Sequence, residues 1–347
     1  MSALTRRAAV SAMLAAAFGS RPLAAAFGSR PLAAAFGSRP LAAAFGFQPL
    51  AAAFGFQPPA AAFGSRPLAA ASGSTPARRG GPRIAALDWT LASACLSLGL
   101  APAGVAEPRL YGRWVGEPAL PANVVDLGLR EAPSLEALAE LAPDVILVNG
   151  FTADLRPRLE RIAPTYAIDI YGDARHPLAM GATALRDLGT RFGCRPRAEA
   201  VLAEAEAAFD RARAALAGGT PRPVLPFNLV DGRHLRIYGA GSLFADTLAR
   251  IGLASAWDGA TSPWGSATGD LAAVAAVPDA VLALVEPVPR DAEPVLSGDG
   301  LWAGLTAGRT VLRLPAVWPF GETGAALRFA DLVVAGLAGH PERTHAG

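Results

Sequence analysis

Pro177 to Phe192, PLAMGATALRDLGTRF, places Leu178, Ala182, Leu185, Leu188 and Phe192 at steps of three and four residues, with Arg186, Asp187 and Arg191 falling mostly elsewhere. That is the period of an amphipathic helix. Short apolar runs alternate with helical runs before it, and they do so again after it. Two architectures satisfy this arrangement: an ordinary crossover helix inside one sheet, or a rigid rod joining two α/β lobes.

Before the helix, Ile84 to Leu87 reads as a short strand, and Asp88-Trp89-Thr90 leads into a helix through Leu98 that Gly99 ends. Val105-Ala106 is the next strand, followed by a loop holding Tyr111, Arg113, Trp114, Pro118 and Pro121. Val124-Val125-Asp126 is a strand, and Ser134 caps a helix through Leu141 with Glu136 in its first turn. DVILVN, from Asp144 to Asn149, has a buried-strand pattern and runs into Gly150-Phe151. After the helix, Pro196 to Leu216 is more polar and also helical. Strands are expected at 224–230, 235–238, 280–285 and 311–314, and helices at 242–251, 270–276 and 321–337. Such alternation implies mostly parallel sheets covered by helices.

The residues before this region are of another kind. MSALTRRAAVSAM has the charged and then apolar layout of an export signal over residues 1–13. Thr5-Arg6-Arg7 resembles a twin-arginine signal, although Ala8-Ala9-Val10 lacks the bulky residue that usually follows, and no cysteine follows for lipid attachment. A nine-residue unit then begins at Leu14, Leu23, Leu32, Leu41 and Leu50, reading LAAAFGSRP in the first three and LAAAFGFQP in the next two, and returns altered up to residue 76. A fixed period prompts a search for a solenoid. Gly and Pro in every unit break any helix and leave too little apolar surface to stack, and they also interrupt a membrane span. The region is expected to be disordered or removed on export.

Composition narrows the function classes. The charged fraction is 17% and the net charge +2, without the basic stripe that a nucleic-acid surface needs. Cys95 and Cys194 lie in no C-x-x-C frame, which argues against a thiolate metal site, and both read as buried free thiols. The histidines, His176, His234, His340 and His345, form no H-x-x-x-H pair. No G-x-S-x-G elbow and no readable acid/base pair is present, so the chain is not expected to be an enzyme.

RIAALDWTLASACLSLGLAPAGVAEPRLYGRWVGEPALPANVVDLGLR (83–130), YGAGSLF (238–244), AWDGATSPWGSA (256–267) and LPAVWPFG (314–321) together resemble the periplasmic ferric-hydroxamate siderophore-binding proteins of ABC importers. The resemblance covers nearly all of 83–338 in order and spacing. It implies an α/β fold of the class III periplasmic binding protein kind, two lobes joined by one long helix. The N-terminal lobe would span 83–175, the connecting helix 176–195 and the C-terminal lobe 196–340, with the ligand in a shallow cleft between the lobes. It further implies a periplasmic monomer that delivers ferric hydroxamate siderophores to an inner-membrane permease.

Carried over residue by residue, Trp114 matches a cleft tryptophan and Arg130 an arginine that hydrogen-bonds hydroxamate oxygens. Phe151 and Phe320 fall at or near places where tyrosines are expected, and Trp264 and Trp318 match aromatic residues of the opposite lobe. These residue types suit the ligand. A ferric trihydroxamate has a neutral core with its iron sites filled, so no metal ligand and no cofactor is required of the protein. Flat indoles supply apolar area, and a guanidinium supplies a fixed donor fork. Without the family, each tryptophan reads as core, and Arg130 as a surface cap; Trp89, Trp257 and Trp302 are left as core. Gly239-Ala240-Gly241-Ser242 reads as a tight strand-to-helix turn. The alternative ligands are cobalamin and haem, and haem would favour an axial Tyr or His.

Overall fold

A computed structural model of the chain describes residues 81–172, 175–218, 222–297 and 299–339. The signal-like segment, the nine-residue repeats, His340 and His345 lie outside the described residues.

The first lobe alternates strand and helix without exception. Its elements are β1 (Ile84–Ala86), α1 (Trp89–Ser97), β2 (Gly104–Val105), α2 (Pro108–Trp114), β3 (Val125–Asp126), α3 (Leu135–Leu141), β4 (Val145–Val148), α4 (Arg156–Leu159) and β5 (Thr165–Ala167). A 3-10 turn, Gly150–Leu155, precedes α4. All strand pairs are parallel, in the order β3-β2-β1-β4-β5. β1 and β4 are buried along their whole length, as unbroken apolar runs require when helices cover both faces. Asp88 caps α1 by accepting from Thr90 N at 2.8 Å, and Ser134 caps α3 by accepting from Ala137 N at 3.1 Å.

The strand order reverses between β1 and β4. Ligands of open α/β sheets bind outside the carboxyl ends of strands at such a switch point. Here those ends lead into Asp88-Trp89-Thr90 and Asn149-Gly150-Phe151.

α5 (Pro177–Arg191) follows, and then α6 (Arg195–Leu216). The second lobe contains β6 (Val224–Leu229), β7 (Leu235–Tyr238), α7 (Leu243–Arg250), β8 (Ser266–Gly269), α8 (Leu271–Ala275), β9 (Val281–Val285), α9 (Glu293–Leu296), α10 (Leu301–Thr306), β10 (Val311–Leu314) and α11 (Thr323–Ala338). Its sheet order is β10-β9-β6-β7-β8. β10, β9 and β6 are parallel, whereas β7 pairs antiparallel with both β6 and β8. The hairpin is made by Asp231, whose carboxylate accepts from the backbone N–H groups of Arg233 and His234.

β5 and β6 belong to different sheets, so α5 is a connector between sheets and not a crossover within one. Its buried face differs from the expected leucine stripe. Pro177, Gly181, Ala184, Leu185, Leu188 and Gly189 are buried, while Leu178, Ala182 and Phe192 are half-buried. The glycines explain the shift, because they let neighbours approach the helix axis. A Cβ on Gly189 would stand 2.9 Å from Ala198 Cβ, and one on Gly181 3.4 Å from Glu322 Cβ.

Other expectations also need correction. The loop assigned to 111–114 is helix α2, begun by Pro108 at its first turn and pinned by Tyr111, whose buried hydroxyl donates to Pro118 O at 2.9 Å. β5 and β8 were not expected, since neither has a run of buried apolar residues. Cys95 is a buried free thiol with its pKa pushed up to about 12 chiefly by burial, but Cys194 is only half-buried.

Glu322, the N-cap of α11, is fully buried. It accepts from Gly324 N at 2.9 Å and from Ser93 Oγ, in α1 of the first lobe, at 2.9 Å. Burial raises its pKa against the opposing pull of Gly324, Ser93 and Thr323. A carboxyl that binds its proton more tightly folded than unfolded costs stability as pH rises through and above the ordinary carboxyl range. Glu322→Gln keeps one acceptor, for the Gly324 amide, and turns an amide donor toward the Ser93 hydroxyl, which can accept it, without the charge. The variant is expected to match the parent near about pH 4 and to exceed it near about pH 7, read from urea midpoints at both.

Candidate functional site

Trp114, Phe151, Trp264, Trp318 and Phe320 form one connected cluster with Trp89, built from the carboxyl ends of β1, β4 and β10, from the end of α2 and from the loop before β8 in the second lobe. Trp89, at the first turn of α1, stacks on Trp114 with ring centroids 6.5 Å apart and meets the edge of Trp318 at 4.8 Å. Trp114 and Trp318 touch edge to face at 5.9 Å. Trp318 continues to Phe320 at 5.4 Å, and Phe320 lies 6.3 Å from Phe151. Phe151 is stacked flat on Trp264 at 4.0 Å. Edge-to-face and offset contacts of this kind add about 0.5–1.5 kcal/mol each beyond burial.

Arg130 stands in the turn after β3. Its Nε donates to Glu107 Oε2 at 2.8 Å, and Nη1 lies 3.7 Å from Asp88 Oδ2. The guanidinium carbon sits 4.1 Å from the Trp89 ring centroid and 4.6 Å from that of Trp318. Two carboxylates and two indoles therefore fix the fork, whose side chain is 19% exposed. Among the described residues no hydrogen bond uses Nη2.

Three cross-lobe ties hold the arrangement. Thr90 Oγ1 donates to Phe320 O at 2.8 Å and accepts from Trp318 Nε1 at 3.0 Å. The Tyr171 hydroxyl donates to Gly321 O at 2.9 Å, and burial holds its pKa so high that it stays protonated. Arg175, just before α5, donates to Ala240 O at 2.6 Å, to Ser262 O at 3.3 Å and to Thr261 Oγ1, and so fastens the loop that carries Trp264. A small cavity of about 20 Å³ remains beside the Phe151–Trp264 stack, lined also by Asn149, Asp169, Tyr171 and Phe320.

The sequence matches the periplasmic binding protein family Peripla_BP_2 over residues 84–310. This chain belongs to that family. It is 33% identical over 261 residues to the iron(3+)-hydroxamate-binding protein FhuD of Escherichia coli K12, covering 74% of this chain and 87% of that protein. Among solved structures it is similar to FhuD of Vibrio cholerae bound to Fe3+-Desferal, with a TM-score of 0.70 and 28% identity, covering 74% of this chain and 97% of that one. The petrobactin-binding protein YclQ of Bacillus subtilis shares the fold, at a TM-score of 0.59 and 16% identity, with 74% and 92% covered. The family is one of binding proteins and not of enzymes.

Within this periplasmic binding protein, Trp114, Arg130, Phe151, Trp264, Trp318 and Phe320 all fall in the one cluster. The separation expected between opposite walls is not seen at every point. Trp318 leaves β10 of the second lobe yet lodges against α1 and Arg130 of the first, so it stands on the same wall as Trp114. Phe151 and Trp264 meet in direct contact.

Trp89 is buried, as expected of a core residue, but one face of its ring backs the guanidinium. Trp302 packs in the second lobe's core and Trp257 against it. Gly239 to Ser242 is the tight turn expected, with Gly241 at φ +83° and Ser242 capping α7. Sequence reasoning missed Tyr171, Asp169 and Arg175. They follow β5, a strand of three residues at the edge of the sheet; only the sheet order puts its carboxyl end beside that of β4, which borders the switch point.

Proposed function

We propose that the chain is the substrate-binding component of a ferric-siderophore ABC importer, that it takes ferric hydroxamates, and that it passes them to an inner-membrane permease. The observation that carries this reading is the fixed Arg130 fork set in a wall of indoles. A hydroxamate oxygen facing outward from a filled iron centre accepts from such a donor, and the siderophore backbone lies on the rings. Iron arrives already chelated and is cargo, so the protein contributes no metal ligand. The E. coli relative is named for iron(3+)-hydroxamate binding, and the Vibrio cholerae relative was crystallised with Fe3+-Desferal.

The cavity beside the stack is far smaller than a trihydroxamate, so the ligand rests on the open aromatic wall or separates Phe151 from Trp264. Haem finds little to coordinate it here, since the Tyr171 hydroxyl is committed to the 319–321 backbone. We further propose a monomer, exported through the twin-arginine route.

Titration of the full chain by tryptophan fluorescence tests the ligand class. Ferrichrome and ferrioxamine B are expected to quench saturably, because the wall contains several indoles. Saturable quenching by cobalamin or haem, with none from either ferric hydroxamate, overturns the reading.

A further inference from the structure

The cavity beside the Phe151–Trp264 stack has a composition that the hydroxamate core does not explain. Phe151, Tyr171, Trp264 and Phe320 line it, with ring centroids 4.0 to 6.3 Å apart. Asp169 also lines it and is the one residue of that lining with a charged side chain. No cation lies within ion-pair distance of Asp169 among the described residues. Its carboxylate instead faces Gly150: a Cβ there would stand 3.3 Å from Oδ1, and the Gly150 amide hydrogen-bonds the group.

Neither arginine of the site pairs with Asp169. Arg130 is paired with Glu107 and Asp88, and Arg175 is bonded to Ala240 O, Ser262 O and Thr261 Oγ1. An anionic ligand group would therefore meet Asp169 without a compensating charge beside it. An ammonium would meet a carboxylate and a ring-lined wall, the two partners that bind alkylammonium groups best.

On the reading proposed above, we infer that Asp169 and the rings of Phe151, Tyr171 and Trp264 form a subsite for an ammonium group carried by the ferric hydroxamate, so that the protein prefers cationic ferric complexes to neutral or anionic ones. A linear trihydroxamate with a terminal aminoalkyl tail has this chemistry. Partial burial raises the Asp169 pKa against the opposing pull of the Gly150 amide, while the residue as a whole stays exposed to solvent and so within reach of a ligand.

Three ferric ligands with one iron core isolate the charge: ferrioxamine B with its free terminal ammonium, its N-acetyl derivative, and its N-succinyl derivative. Fluorescence or calorimetric titration of the full chain is expected to rank them in that order, with the ammonium form bound about tenfold or more tighter than the acetyl form. In Asp169→Asn the ratio between those two affinities is expected to fall to about one, and in Asp169→Glu to recover in part. The thermal unfolding of each variant is recorded alongside.

Equal affinities of the parent chain for the ammonium and acetyl forms overturn the subsite and leave the siderophore reading standing. An unchanged ratio in a folded Asp169→Asn does the same. If none of the three binds to natively folded protein, the parent reading fails with it.

Discussion

Arg130→Ala is expected to lose about 2–4 kcal/mol of folding stability, and its affinity for ferric hydroxamates should fall by about one to two decades. The two losses have different origins. The side chains of Asp88 and Glu107 are 6% and 20% exposed, so removing their guanidinium strands two desolvated carboxylates, although Asp88 keeps its bond from Thr90 N. The faces of Trp89 and Trp318 also lose a cation at 4.1 and 4.6 Å, worth about 0.5–2 kcal/mol. On the proposed reading, the affinity loss comes from removing the donor to the hydroxamate.

Arg130→Lys separates the two effects. An ammonium restores charge beside Glu107 but cannot reproduce a planar fork, so stability should recover more than affinity. Urea unfolding and ligand titration of both variants check the ordering. A stable Arg130→Ala with unchanged affinity would remove Arg130 from the site and from the structural argument alike.

Gly265→Ala should be more damaging to folding still, with an expected loss exceeding about 3 kcal/mol. Gly265 has φ +72°, and a Cβ there would stand 2.0 Å from Ser242 N and 2.2 Å from Gly241 C, which are backbone atoms with no rotamer to yield. The turn it presses against caps α7, and Gly241 in turn lies against Arg175, where a Cβ would come 3.2 Å from the guanidinium. The close approach at Gly265 thus sets the seat of its neighbour Trp264. Gly265→Ala is expected to lower the urea midpoint sharply and to change the fluorescence of the Trp264–Phe151 stack. Gly304→Ala, at a position with nothing within 4 Å, serves as the control.

Much of the fold is legible in the chain because local chemistry and burial agree there. Asp88 before an apolar helix, Ser134 before α3 and the run VILV in β4 each carry their own signal. Where the signal is weak, the element was missed. α2 has Gly112 inside it, β5 has no fully buried residue, and β8 is held by antiparallel pairing with β7 and not by apolar side chains.

The site divides in the same way. The six residues that gather in the one cluster could be named together because aromatic and arginine side chains in glycine- and proline-rich segments are informative beside a family resemblance. Trp89 could not be distinguished from core, since it is core on one face and site on the other. Tyr171 and Arg175 matter through partners far away in sequence, among them Pro319, Gly321, Ala240 and Ser262, and Asp169 through the Gly150 amide beyond β4; periodicity contains no information about such pairings.

Thr90 and Ser93 find their hydrogen-bond partners at Phe320, Trp318 and Glu322, 228 to 230 positions later. During synthesis the first sheet can therefore assemble early, yet its aromatic face stays uncovered until almost the whole polypeptide has left the ribosome. A product that stops short of residue 315 would retain β1 to β5 while showing Trp89 and Trp114 to water. Such a fragment is a client for holding chaperones and proteases, not a smaller working receptor.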